Sequence, residues 1–146
     1  MSTGLAVFDT TVQETNEWLR AIENDLQPLT RQQAYSALRA VLHVLRDHLT
    51  ADQVAGLSAQ LPMLLRGVFL EGWKPLEASR GGRDPEVFLQ EIRARTMGAC
   101  QRDANDIASS VLTVMADRLD PGEVRKIIQH LPKPLREFWP VRTWAL

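Results

Sequence analysis

The feature that most constrains this chain is a repeat: slid along itself by 70 positions, the sequence matches over nearly its whole length. Val41, Leu42, Val44, Asp47, Leu49, Val54, Leu61, Pro62, Leu65 and Arg66 face Val111, Leu112, Val114, Asp117, Leu119, Val124, Leu131, Pro132, Leu135 and Arg136. These are ten identities in the 26 ungapped positions 41–66, where average residue usage gives about two by chance. Similar residues extend the match, with Phe69 opposite Trp139 and Trp18, Leu19 and Ile22 opposite Phe88, Leu89 and Ile92. A chain built this way uses one set of elements twice. Its 146 residues suit a single domain, which at this size buries about 68–70% of its unfolded surface without needing a disulfide or metal.

Each half reads as the same four helices. The first spans about 10–26, where Val12, Trp18, Leu19, Ile22 and Leu26 form a stripe at helical spacing. Asp84 followed by Pro85 opens its counterpart, as an N-cap with proline in the first turn. The second helix, about 31–49, carries Leu38, Val41, Leu42, Leu45 and Leu49 on one face and opens on a Thr30–Gln33 capping box; its partner spans about 101–119. The third begins at Thr50 with Gln53 and recurs at Asp120 with Glu123, so the cap is repeated as chemistry although the residues differ. Leu61-Pro62 and Leu131-Pro132 then break the chain before a short fourth helix, which Pro134 shortens in the second copy. No alternating strand pattern of useful length occurs. The predicted fold is all-α: about eight helices in two pseudo-symmetric four-helix repeats, 8–73 and 85–140, packed as one bundle-like domain. A mobile linker over 74–84, with Pro75, Gly81 and Gly82, joins them.

Charge and cysteine usage narrow the function classes. Seventeen basic against 18 acidic residues give a net charge of −1, so no whole-body field draws in nucleic acid or an anionic membrane. The single cysteine excludes an intrachain disulfide and any multi-thiolate metal site. No apolar run approaches the roughly 18 residues of a membrane span. The first residues show no secretory signal, so a cytoplasmic location is expected.

The polar residues offer few chemical constellations, and no catalytic, metal or cofactor set emerges. His43 and Asp47 share a face opposite the apolar stripe while His48 lies further round, and the repeat replaces the histidines by Thr113 and Arg118; solvated polar side chains are expected there. Asp47 and Asp117 recur near helix C-termini, where the helix dipole disfavours an acid; Arg66 and Arg136 also recur and are expected to pair with them as structural ion pairs. His130 precedes Leu131-Pro132 at a helix end, where a cationic side chain is favourable. Cys100 is expected at a helix entrance as a small residue. The halves diverge most over Gly67–Pro75, which makes Arg66, Trp73 and Lys74 the candidate interaction surface. Trp73 either serves as an exposed anchor or packs back as a lid, and Trp144 poses the same choice.

The runs Ala37-Leu38-Arg39-Ala40-Val41-Leu42-His43-Val44-Leu45-Arg46-Asp47-His48-Leu49 and Ala59-Gln60-Leu61-Pro62-Met63-Leu64-Leu65-Arg66-Gly67, with Gly72-Trp73 after them, resemble a bacterial family catalogued as domain of unknown function 2267. The resemblance implies a small helical bacterial protein and carries no activity, cofactor or site residue with it. The expected function is a non-enzymatic protein-interaction or adaptor module, with an unknown protein partner or a second copy as a homodimer. The alternative is a small-molecule-binding protein or enzyme with a cleft between the repeats, lined by Asp47, Asp117, Arg66 and Arg136.

Overall fold

A computed structural model describes residues 2–77 and 81–145 of the chain. Within them the fold is all-α, with seven α-helices and three short 3-10 segments and no strand among the described residues. The helices are α1 (Ala6–Asp25), α2 (Arg31–Asp47), α3 (Ala51–Gln60), α4 (Met63–Leu70), α5 (Pro85–Thr96), α6 (Ala104–Arg118) and α7 (Pro121–His130). A 3-10 helix over Lys133–Phe138 stands where a fourth helix of the second half is predicted; Pro134, which has no counterpart in α4, disfavours the α conformation at Lys133. The other 3-10 segments are Pro75–Glu77 and Val141–Thr143.

Local chemistry sets most boundaries. Thr30 and Thr50 form complete capping boxes with Gln33 and Gln53. Asp84 accepts from the Glu86 amide, and Asp120 from the Glu123 amide, each with proline in the first turn. Leu61-Pro62 ends α3 and caps α4, as the sequence predicts. Two boundaries shift. The first helix starts at Ala6, not near residue 10, and α6 starts at Ala104 because the Asp103 side chain accepts from the Asn105 and Asp106 amides. Cys100 therefore lies in the loop before α6, buried, with its thiol pKa pushed up by that burial.

Helix α2 is the hub. It packs on α1, α4, α5 and α6, and every residue from Ala40 to Arg46 is buried. The halves interlock around it: α1 lies on α6, α2 on α5, and α3 touches α7. Arg102 hydrogen-bonds the Gln27 and Pro28 carbonyls, fastening the loop before α6 to the α1–α2 turn. Phe69 and Trp139, the aromatic pair of the repeat, are both buried in the one core cluster. Residues 78–80 of the predicted linker lie outside the described residues. Within its remainder, Gly81 donates its amide to the Asp47 carbonyl at 2.8 Å.

Candidate functional site

The end of α2 gathers polar groups that its sequence pattern assigns to solvent. His43 is only 2% exposed and donates from Nε2 to the Val68 carbonyl at 2.6 Å. Arg46 is 5% exposed, and its Nη1 donates to the Phe69 and Glu71 carbonyls at 2.9 and 2.8 Å. His48 bonds the Val44 carbonyl through Nδ1 and meets the Phe88 ring edge-on at 5.2 Å, and Phe88 stacks on Phe138. The expectation of solvated histidines fails because α2 is covered around residues 40–46 on both faces: opposite the apolar stripe, the end of α4 lies over His43 and Gly81 lies over His48. There side-chain donors reach the Val68 and Phe69 carbonyls of α4 and the Glu71 carbonyl just beyond it, Val68 also accepting from the Glu71 amide at 3.4 Å. Burial first, then the charges of Arg46, Arg39 and Arg95, hold the His43 pKa below the ordinary imidazole value. Gly81 lies flat over the His48 ring; a Cβ there would stand 2.4 Å from Cδ2, so only glycine fits.

Beside this buried set opens a polar cleft of about 320 Å³. Arg46 and Asp47 form its floor, Gly72, Trp73, Lys74 and Glu77 one wall, and Gly81, Glu91 and Arg95 the other. The Asp47 carboxylate is shared: Arg46 Nε lies 3.5 Å from one oxygen and Arg95 Nη2 lies 3.5 Å from the other. The Arg46 Nε contact lacks hydrogen-bond geometry, which leaves that buried donor unpaired. Trp73 is half-buried against the core, so it packs back and is not an exposed anchor; Lys74 beside it is exposed.

The predicted ion pairs are replaced by others. Arg66 donates to the Ser58 and Leu61 carbonyls, and Arg136 to the Gln129 and Leu131 carbonyls, so both arginines close the ends of α3 and α7. Asp47 pairs with Arg46 and Arg95, and Asp117 with Arg142. Backbone carbonyls at the Leu-Pro breaks lie nearer each arginine than any acid does, and they take it. Of Asp47, Asp117, Arg66 and Arg136, only Asp47 lines the cleft. His130 is exposed and bonds the Lys126 carbonyl one turn back. The Trp144 indole donates to the Trp139 carbonyl.

A family model described as an uncharacterized conserved protein, DUF2267, matches residues 15–138. The chain belongs to the DUF2267 family. No curated protein matches it. The matched span begins within α1 and takes in the hub helix, the cleft and both Leu-Pro breaks. The first nine residues of α1 precede it.

Those nine residues carry a surface that the sequence reading of this DUF2267 member missed. Thr11, Thr15, Trp18, Leu19 and Ile22 bury the core stripe of α1. The stripe runs on toward the N-terminus through Val12, Phe8, Val7 and Leu5, each of which is left about half exposed. Alongside, the Leu64 amide donates to Thr11 Oγ1 at 2.8 Å, which sets Met63 and Leu64 of α4 next to that overhang. All six apolar side chains are between 40% and 53% exposed. Val12, placed in the core stripe from its spacing, is thus outside it. Periodicity marks a face as apolar without saying how far the body beneath it extends. Among the described residues no group of three or more His, Cys, Asp or Glu stands close enough to hold a metal ion, and no helix is long and apolar enough to cross a membrane.

Proposed function

We propose that this chain is a non-enzymatic protein-interaction module of the bacterial cytoplasm, with both repeats in one domain, and that it self-associates through the overhang of α1 and the start of α4. The observation that carries this is the exposure of Leu5, Val7, Phe8 and Val12 at the start of α1, with Met63 and Leu64 brought beside α1 by the Leu64–Thr11 hydrogen bond. Six such side chains, each about half exposed, present roughly 500 Å² of apolar surface, near the upper end for a monomer's largest patch. With a polar rim that area approaches the ~800 Å² per partner of a standard interface.

The charge of this face suits a second copy as its occupant. From Ser2 to Gln13 the only ionisable side chain is Asp9, already held by the Thr3 amide, the Thr3 hydroxyl and Ser2. A face this free of charge meets its own copy without like-charge repulsion, and charge depletion marks interface cores. A helix that lies on a membrane surface carries Lys and Arg on its polar side; here the first basic residue is Arg20.

Sedimentation equilibrium tests this. Wild type is expected to form a dimer with a Kd of about micromolar order. The Phe8→Glu, Val12→Glu double variant is expected to be monomeric with unchanged helicity and Tm, because neither side chain supports the core. A wild type that stays monomeric to about 200 µM, a variant that still dimerises, or a monomer that instead binds neutral vesicles would each overturn the proposal.

A further inference from the structure

We infer that the cleft at the end of α2 is a binding site for a small amino-carboxylate, a molecule carrying an ammonium and a carboxylate on a short apolar body. It is independent of the α1 face.

Charges of both signs line the cleft and are left incompletely paired. Arg46 is anchored by two carbonyls, is buried, and keeps Nε without a hydrogen-bond acceptor. Arg95 reaches Asp47 only at 3.5 Å, so one carboxylate serves two guanidinium groups. Lys74 and Glu91 enter no ion pair or side-chain hydrogen bond among the described residues. A simple anion would satisfy the cations and crowd Glu91 and Asp47; a simple cation would do the reverse. A ligand bearing both charges completes both sets. Its carboxylate goes to the guanidinium side, where bidentate pairing is strongest. Its ammonium goes to Glu91, and its body lies against the half-buried Trp73 ring. The volume of about 320 Å³ fits a molecule of that size and sits at the lower end of the range for ligand pockets.

Titration of the intact chain with L-phenylalanine, N-acetyl-L-phenylalanine and L-phenylalaninamide tests the inference, followed through the Trp73 indole resonance, which Trp73→Phe identifies. The free amino acid is expected to give a saturable shift, and each blocked derivative to bind about tenfold more weakly. N-acetyl-L-phenylalanine also models a peptide chain end, so its weaker binding separates the free molecule from a peptide C-terminus. Glu91→Gln should weaken the free amino acid and leave the N-acetyl derivative unchanged; Arg95→Gln should weaken both and leave the amide unchanged. Both positions lie on the outer side of α5, and circular dichroism of each variant checks its helix content. No saturable shift with the free amino acid, equal binding of all three probes, or indifference to both substitutions would overturn the site.

Discussion

Replacing Arg66 by alanine removes hydrogen bonds to the Ser58 carbonyl at 2.9 Å and the Leu61 carbonyl at 3.3 Å. Arg136→Ala removes those to Gln129 at 2.9 Å and Leu131 at 3.2 Å. A hydrogen bond from a charged donor contributes about 1.5–3 kcal/mol when well buried. Each arginine is half-buried and one of its two bonds is long, so each substitution is expected to cost about 1–2 kcal/mol. For a chain of this size that lowers Tm by about 3–6 °C. The sites lie in different halves, so the double variant should lose the sum to within about 0.5 kcal/mol. An Arg66–Asp47 ion pair would behave differently: Asp47→Asn would remove the same energy, and the coupling would weaken with salt. Carbonyl closure instead requires a double-mutant coupling between positions 47 and 66 below about 0.3 kcal/mol at any ionic strength. Urea unfolding at low and high salt measures all of this. A coupling of about 1 kcal/mol or more, or an Arg66→Ala loss too small to resolve, would refute the assignment.

Two further perturbations test the buried end of α2. The folded state holds the His43 pKa down, chiefly by burial, so as pH falls the unfolded chain takes up a proton that the folded chain does not. Stability is therefore full above about pH 6.5 and is lost below it, by up to about 1.4 kcal/mol per pH unit until the folded value is reached. His43→Gln, which keeps a donor for Val68, should flatten denaturation profiles between pH 5 and 7; an unchanged profile would show that His43 is not the titrating group. Gly81→Ala forces a methyl to within 2.5 Å of a His48 ring already held by Val44 and Phe88. It should cost about 1–3 kcal/mol and speed hydrogen exchange at the residue 81 amide; neither change would mean the contact is not held in solution.

Much of the fold was legible because its signals are local. A cap needs only a side chain within three residues of its amide, so Thr30, Thr50, Asp84 and Asp120 mark their helices in the sequence itself. The Leu-Pro breaks act on the adjacent turn for the same reason. The candidate site depends on what lies across from each residue. Arg66 and Arg136 find backbone carbonyls, which every residue carries and no side-chain pattern reveals. His43 and His48 look solvent-facing on a wheel drawn for one helix; they are buried because α4 and the linker cover the second face of α2. Val12 looks like core for the converse reason, since its spacing matches the stripe although the fold leaves it 40% exposed.

The two halves differ most where this second face is covered, and the differences are coupled. The first half has a full α-helix in α4, whose final carbonyls face α2; His43 and Arg46 supply the donors for Val68, Phe69 and Glu71. In the second half the counterpart, with Pro134 in its first turn, is a 3-10 helix, and the positions 70 residues after His43 and Arg46 are Thr113 and Ala116. Neither has a side chain long enough to serve as such a donor, and Ala116 has no donor at all. A buried guanidinium is expensive unless its donors are met, so Arg46 can be kept only beside carbonyls that need it. The complete α4 thus licenses a fixed positive charge at the end of α2, and that charge, with Asp47 shared to Arg95, is what makes the adjoining cleft polar. The cleft therefore rests on the complete α4 of the first half, where the second half has only a 3-10 helix.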